Sequence, residues 1–203
     1  MGRSPWWLPW AVYGPLAALG AGLSWLSRRS VFSAPAGPRF AEDPSLALAV
    51  GLALACGVAW LTVRSTRWLV AHKRWARALH LHLRALLLGA SSARLLTLAA
   101  ASALAEELFF RAALLPWCGL FGSALVFGLL HYSSRETYLP WMLWATLMGM
   151  VFGALYVASG SLLVPMLAHA AINYENMQYI CNVDPTRADT PRRSPHGVSS
   201  RRL

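Results

Sequence analysis

The sequence predicts an all-α fold: a polytopic membrane helix bundle of about six transmembrane helices with a basic interfacial helix. Three observations support this prediction. Of the 203 residues, 57% are apolar and only 13% are charged, whereas soluble domains have about 45 to 50% and about 25%. The apolar residues form runs that approach the length of about 20 residues needed to span a bilayer. Most of the Lys and Arg residues lie between these runs.

The charge balance could also indicate another class of protein. There are 18 Lys and Arg residues against 8 Asp and Glu, which gives a net charge of +10. Such a charge is typical of nucleic-acid binders, but the apolar excess favours a membrane protein, so we expect no nucleic-acid partner. Cys56, Cys118 and Cys181 lie far apart in apolar runs without a CxxC pair, and we expect free, buried thiols.

The first apolar run covers residues 6–26, after Arg3 and before Ala34, Pro35 and Ala36. This arrangement could be a cleaved signal peptide, with mature protein beginning near Gly37. However, the run is longer than the apolar core of a signal peptide, which has about 7 to 15 residues. We therefore expect it to be retained as the first transmembrane helix.

Five further apolar runs follow, at residues 45–63, 95–115, 117–131, 139–158 and 161–181. The loop 64–94 between the second and third runs carries seven Lys and Arg residues and no Asp or Glu. Apolar residues recur in it at roughly helical spacing, namely Trp68, Leu69, Trp75, Leu79 and Leu83. This pattern predicts a basic amphipathic helix that binds an anionic lipid surface.

The basic loop also predicts the orientation, because short loops rich in Lys and Arg remain in the cytoplasm. Six alternating spans then place both termini in the cytoplasm, and the loop 133–138 with Arg135 lies on the same side. The first outer loop carries Arg28, Arg29 and Arg39, and this positive charge fits the predicted orientation less well.

The last 22 residues differ in composition from the rest of the chain. Residues 182–203 are rich in Pro, Ser and Arg, as is typical of a disordered tail, so residues 1–181 are expected to form one membrane-embedded domain. The Ala, Leu and Arg usage of the whole chain indicates a GC-rich bacterial genome. We therefore expect a bacterial inner-membrane protein.

The third run contains three charged residues, Glu106, Glu107 and Arg111. Its seven Leu and two Phe residues favour membrane insertion by about 4.5 kcal/mol, whereas three charges cost about 9 kcal/mol. The helix therefore needs partners inside a bundle. Ionisable residues at such a depth are by default candidates for a functional site.

Helical geometry gives the three charges two different roles. Glu107 and Arg111 are four residues apart and can form an ion pair on one helix face. Glu106 is rotated by about 100° from Glu107 and has no local cation. Burial disfavours the ionised form of such a carboxylate and makes it a stronger proton acceptor, so Glu106 is the candidate general base.

Two other runs carry polar residues at helical spacing. His131 follows Phe127 by four residues, and Asn173 follows His169 by four. Each of these residues alone could be a structural hydrogen-bonding group in a helix interface. Together with Glu106 they supply the carboxylate, imidazole and carboxamide groups that water activation and oxyanion stabilisation need. The combination predicts a hydrolytic site.

These residues reproduce three motifs in a fixed order: Glu-Glu-x-x-x-Arg, Phe-x-x-x-His and His-x-x-x-Asn. They are carried by Glu106, Glu107, Arg111, Phe127, His131, His169 and Asn173. Over residues 95–181 the chain resembles the CPBP (ABI, CAAX-protease-like) family of intramembrane proteases. The first two runs match this family only in being hydrophobic.

The resemblance implies an endopeptidase that acts on a membrane-associated or lipidated protein or peptide. It implies that Glu106 activates water, that His131 helps to orient that water, and that His169 and Asn173 stabilise the oxyanion. Glu107, Arg111 and Phe127 would be structural or supporting residues. The substrate stays open between a prenylated CAAX end, a peptide pheromone or bacteriocin leader, and a C-terminal sorting segment.

Two alternatives accompany this interpretation. Members of the family are often described as metalloproteases, and Glu106, His131 and His169 could bind zinc. Because these three residues come from three different helices, we expect metal-independent chemistry and no cofactor. The other alternative is a non-catalytic membrane protein, either a scaffold or immunity factor or a proton-coupled transporter that uses Glu106. The inverted repeats typical of transporters are not visible in the sequence.

Overall fold

The computed structural model describes residues 7–132 and 138–186. The elements are α1 (Leu8–Leu26), α2 (Pro44–His72), α3 (Arg74–Leu87), α4 (Ser92–Glu107), a π-helix (Leu108–Leu114), α5 (Leu115–Leu129), α6 (Tyr138–Ser159) and α7 (Leu163–Asn182). The predicted all-α fold class is confirmed. The predictions for Arg3, for Arg135 and for most of the tail lie outside the described residues.

Three long stretches of the described chain are apolar enough to cross a membrane: Pro44–His72, Ser92–Leu129 and Leu139–Ser159, with mean hydropathies of 2.3, 1.8 and 1.6. Large aromatic side chains cover the outside of the bundle, among them Trp25, Trp60, Trp117 and Phe121, which are 66% to 76% exposed. An apolar surface of this kind is what a lipid environment requires. The chain is therefore a polytopic helical membrane protein, and the count of six spans stays a prediction.

The stretch Ser92–Leu129 is not a straight rod. Gly119 has φ 71°, a left-handed conformation that glycine adopts without steric cost, and the chain reverses there. After the bend, Ser123 Oγ donates a hydrogen bond to the Phe110 carbonyl at 2.7 Å, and the Phe127 ring packs edge-on against Phe110. The third and fourth apolar runs are therefore two segments that pack against each other, and they turn at Gly119 rather than at Pro116, which separates the two runs in the sequence.

One end of the bundle is formed by the first loop, residues 27–43, and the turn between α6 and α7. The Phe40 amide donates to the Ala158 carbonyl at 2.8 Å, and the Leu162 amide donates to the Phe32 carbonyl at 2.9 Å. The guanidinium of Arg39 donates to carbonyls of both segments. This basic residue therefore caps backbone groups at this end of the bundle.

The opposite end is formed by α3 and the C-terminal end of α7. His80 Nε2 donates to the Val183 carbonyl at 2.9 Å, and Arg84 donates to the carbonyls of Ile180 and Cys181. The first loop and the turn between α6 and α7, which alternating spans place on one side of the membrane, thus meet at one end of the bundle. The basic helix α3 lies at the opposite end. This relative arrangement agrees with alternating spans, while the side that faces the cytoplasm stays a prediction.

Several predicted boundaries are wrong. The second helix continues past residue 63 to His72, so the predicted loop 64–94 is divided between α2 and α3 at Lys73, whose backbone is extended. The predicted tail was to begin at residue 182, but α7 includes Asn182, and Val183 packs on α3. In both cases a helix continues through polar residues because neighbouring helices supply packing that a single run of sequence does not show.

The three cysteines are free thiols, as predicted. The predicted burial is wrong for Cys56 and Cys118, which are exposed on the outer surfaces of α2 and α5. Such surfaces of a membrane bundle face lipid, so an apolar run indicates contact with lipid as readily as contact with protein.

Helix α1 packs closely against the segment that carries the charges. A Cβ atom at Gly20 would lie 2.7 Å from the backbone nitrogen of Phe109 and 2.8 Å from the carbonyl carbon of Leu108. Only glycine allows this approach. The first apolar run is therefore packed into the bundle beside the π-helix.

Candidate active site

A cavity of about 360 Å³ extends from the charged segment to the underside of α3. Glu106, His131, His169 and Asn173 all line it. They come from α4, from the end of α5 and from α7, so the turn at Gly119 and the packing of α7 on α4 bring them together. The four residues that the sequence predicted as catalytic thus share one cavity.

Glu107 and Arg111 form the predicted ion pair. Glu107 Oε1 lies 3.1 Å from Arg111 Nη1, and the two side chains are 0% and 1% exposed. Arg111 also donates to the Gly149 carbonyl at 3.3 Å, and its guanidinium lies over the rings of Phe127 and Phe152 at 4.7 and 5.4 Å. A buried cation needs such a set of partners to offset its lost hydration. Phe127, the first residue of the second motif, therefore supports the arginine of the first motif.

His169 lies between the two glutamates. Its Nδ1 is 2.8 Å from Glu107 Oε1, and its Nε2 is 3.7 Å from Glu106 Oε2. The Phe152 ring stacks on the imidazole at 4.8 Å. The predicted pairing of Glu107 with Arg111 is thus incomplete, because the same oxygen also binds His169. The spacing within one helix could not show this contact with α7.

Asn173 is held by a residue that sequence analysis missed. Its Nδ2 donates to Ser102 Oγ at 3.0 Å, and Ser102 Oγ donates to the Ala99 carbonyl at 3.1 Å. Ser102 is buried and stands four residues before Glu106, on the same face of α4. The spacing of four residues between Ser102 and Glu106 could have identified Ser102 from the sequence. The contact fixes the carboxamide and leaves its second N–H hydrogen for another acceptor.

His131 lies just beyond the end of α5. Its Nδ1 is 2.7 Å from the Phe127 carbonyl, and because a carbonyl only accepts hydrogen bonds, Nδ1 carries the proton. In the neutral ring, Nε2 is then an acceptor. The ring also contacts Trp141 edge-on at 5.7 Å. His131 can therefore accept a hydrogen bond from a water molecule in the cavity.

The zinc alternative requires Glu106, His131 and His169 to converge. Both imidazoles have Nδ1 bound to an oxygen, an arrangement that is common in histidines that ligate metals. Within the described part of the chain, however, no three His, Cys, Asp or Glu side chains are grouped closely enough to hold a metal ion. Metal-independent chemistry stays a prediction.

The π-helix Leu108–Leu114 was not predicted. It begins directly after Glu107 and contains Arg111. Segments of this type are rare and occur often at functional sites. The predicted geometry assumed 3.6 residues per turn throughout, and no residue type in this segment distinguishes a π-turn from an α-turn.

The amphipathic helix α3 lies over the cavity. Its apolar residues Trp75, Leu79 and Leu83 line the cavity wall, whereas Lys73 and Arg74 are exposed. These apolar side chains therefore pack on the bundle, while the binding of this segment to an anionic lipid surface stays a prediction. The extended backbone at Lys73 separates α2 from α3, and α3 packs against α6 and α7.

The fold and the site define a polytopic membrane protein with a buried carboxylate–imidazole cluster. Residues 88–174 match the family model of the Rce1-like type II CAAX prenyl endopeptidases. This range contains all seven motif residues, and the predicted resemblance to the CPBP intramembrane proteases is confirmed over it.

A second comparison covers a shorter segment. The uncharacterized protein YpbD of Bacillus subtilis (strain 168) is 35% identical over 71 residues, which are 35% of this chain and 37% of YpbD. The chain thus matches little more than a third of the length of this relative. No solved structure matches the chain.

Proposed function

We propose that the chain is an intramembrane endopeptidase that hydrolyses a peptide bond of a membrane-associated or lipidated protein. One observation carries the proposal: Glu106 Oε2 and His169 Nε2 lie 3.7 Å apart on the wall of a cavity inside a membrane helix bundle. The match of this segment to the CAAX prenyl endopeptidase model supports it.

The separation of 3.7 Å is too long for a direct hydrogen bond, so a water molecule can bind to both atoms. Glu106 is 13% exposed and lines the cavity, so its carboxylate can contact that water and accept its proton. The water oxygen attacks the peptide carbonyl carbon, a C–O bond forms, and the water proton moves to Glu106. His131 Nε2 accepts the second O–H of the water and orients it.

The carbonyl oxygen becomes negative in this step and needs hydrogen-bond donors. His169 keeps its Nδ1–H on Glu107, and as the C–O bond forms, the Nε2–H that held the water donates to the oxyanion instead. The second N–H of Asn173 completes the oxyanion site.

The tetrahedral intermediate then collapses. Glu106 gives its proton to the amide nitrogen, the C–N bond breaks, and an amine and a carboxylic acid leave. Glu106 is ionised again at the end of the cycle. In this scheme Glu107 and Arg111 transfer no proton, but they hold His169 in place.

The walls of the cavity suit an apolar substrate segment, because most of the side chains between the catalytic residues and α3 are Leu, Trp, Met or Ile. We place the protein in a bacterial inner membrane with both termini in the cytoplasm. Lys73 and Arg74, which are exposed at the start of α3, would then bind anionic lipid near the cavity.

The proposal is tested in a strain that lacks the gene, complemented with the wild-type or the Glu106→Gln chain at equal abundance. We expect a membrane-associated peptide or protein to accumulate uncut in the deletion strain and with the variant, and to be processed with the wild type. A scaffold would tolerate the substitution, so full restoration by Glu106→Gln would overturn the proposal.

A further inference from the structure

The half of the cavity beneath α3 contains two buried hydrogen-bond acceptors. His80 Nδ1 and Asn176 Oδ1 have no hydrogen-bond partner among the described residues, and both residues line the cavity. Buried polar atoms are nearly always hydrogen-bonded in folded proteins. Two such atoms on the wall of one cavity indicate a ligand that brings donors.

The protonation of His80 follows from its surroundings. The ring is 3% exposed, and its Nε2 must carry the proton that is donated to the Val183 carbonyl. Burial makes the largest contribution to lowering the pKa of His80, so the ring is neutral near pH 7. Nδ1 therefore presents a lone pair and can only accept a hydrogen bond.

Two other polar side chains that line the cavity, Thr62 and Thr66, already have partners. Thr66 Oγ1 donates to the Thr62 carbonyl at 2.9 Å, and Thr62 Oγ1 contacts Met148 Sδ at 3.8 Å. His80 Nδ1 and Asn176 Oδ1 thus differ from these two threonines, because they have no hydrogen-bond partner among the described residues. They are also surrounded by apolar side chains, where an unmade hydrogen bond is costly.

Asn176 lies on the same stripe of α7 as the catalytic candidates. His169, Asn173 and Asn176 follow one another at four and three residues, and all three line the cavity. With a rise of about 1.5 Å per residue, Asn176 lies about 10 Å along the axis from His169. An extended peptide covers this distance in about three residues.

We propose that Asn176 and His80 form a subsite for main-chain N–H groups of an extended substrate peptide, about two to three residues from the cleaved bond. This inference rests on the proposed function. The Asn176 carboxamide can also donate to a main-chain carbonyl, so it matches a peptide group with both of its polar atoms.

The test measures peptide binding to purified protein that carries Glu106→Gln, so that the probe stays uncut. The probe is a peptide that ends in a prenylated cysteine followed by three residues, in which each amide is replaced in turn by an ester. An ester removes one N–H donor and changes the shape of the chain little. We expect one ester in the series to weaken binding roughly five- to tenfold.

Variants assign the effect to the subsite. Asn176→Leu, added to Glu106→Gln, should weaken binding of the all-amide probe and abolish its sensitivity to that ester, and His80→Phe should do the same for its own position. Asn182→Leu is the matched control, because it makes the same change at an exposed position of α7 and should leave the ester effect intact.

The outcomes separate the subsite from the proposed function. If all esters bind like the parent peptide, or if Asn176→Leu and His80→Phe keep the full ester effect, the subsite is wrong even when the wild type cuts the probe. If the ester effect depends on Asn176 but the wild type cuts nothing, the subsite stands and the protease proposal fails. Absence of binding overturns both.

Discussion

At the scale of single residues, two neighbouring glutamates have different environments. Glu107 is fully buried and binds both Arg111 and His169. Glu106 keeps part of its surface on the cavity. This difference follows from the direction in which each side chain leaves α4: one points between α4 and α7, and the other points into the cavity. The two carboxylates are therefore expected to respond differently to the same substitution.

Glu107→Gln should destabilise the protein much more than Glu106→Gln does. The substitution leaves Arg111 buried without its counter-charge, which typically costs about 3 to 5 kcal/mol. Thermal unfolding of the purified variants in detergent measures the difference. Equal midpoints for the two variants would contradict the separate roles given to the two glutamates.

Asn173→Ala should lower kcat by about 10² to 10³, because one donor to the oxyanion is lost. Ser102→Ala should lower kcat less, since the carboxamide stays present but is less firmly held. Cleavage kinetics of a prenylated CAAX peptide measure both effects, with Asn182→Ala as the control at an exposed position of the same helix. An unchanged kcat for Asn173→Ala would remove this residue from the oxyanion site.

The residues of the site were predictable where they share a helix. The pairing of Glu107 with Arg111 follows from a spacing of four. The bonds from Glu107 to His169 and from Asn173 to Ser102 join α4 to α7, and no spacing along the chain reports on them. They depend on how two helices pack, which depends in turn on the whole bundle.

At the scale of elements, α1 approaches the backbone of the π-helix closely at Gly20. A methyl group at position 20 would overlap the backbone of Phe109. Backbone cannot rotate away as a side chain can, so the two helices would have to separate. Helix α1 is thus in direct backbone contact with the π-helix, which contains Arg111.

Gly20→Ala should destabilise the protein by about 1 to 3 kcal/mol through this overlap. Gly22→Ala is the matched control, because a Cβ atom there meets nothing within 4 Å, and alanine favours a helix more than glycine does. Unfolding midpoints in detergent measure both variants. If Gly20→Ala is as stable as Gly22→Ala, the close approach of α1 is wrong.

Elements were predictable where apolar runs are long, and their ends were not. The cores of α2, α6 and α7 coincide with predicted runs, because an apolar stretch of that length has few alternatives to a helix. The extension of α2 to His72 and the π-helix after Glu107 depend on neighbours rather than on local composition. No Pro or Gly residue lies next to Lys73, so the sequence does not indicate that the helix is interrupted there.

At the scale of the whole molecule, the helices run between two distinct ends. Residues 32–40 and 158–162 meet at one end, while α3 and Val183 meet at the other. The cavity extends from Glu106 to the end covered by α3. A substrate segment in the adjacent leaflet would therefore reach Glu106 from the side of the membrane that carries the basic helix.

This arrangement predicts the result of reporter fusions. A reporter inserted after Ala36 should lie outside the cytoplasm, and one fused after Thr186 should lie inside it, because the two positions belong to opposite ends of the bundle. The basic residues of α3 set the absolute direction. Reporters on the same side would contradict the alternating arrangement, and two exchanged signals would reverse the orientation.

The central claim is that Glu106 is the general base, and the most direct measurement is cleavage of a prenylated CAAX peptide by purified protein in lipid nanodiscs. We predict that Glu106→Gln lowers the rate by about 10² to 10⁴ or more while the peptide still binds. Glu42→Gln, the same change at an exposed position, should cleave like the wild type. Cleavage by Glu106→Gln within a fewfold of the wild type would contradict the account.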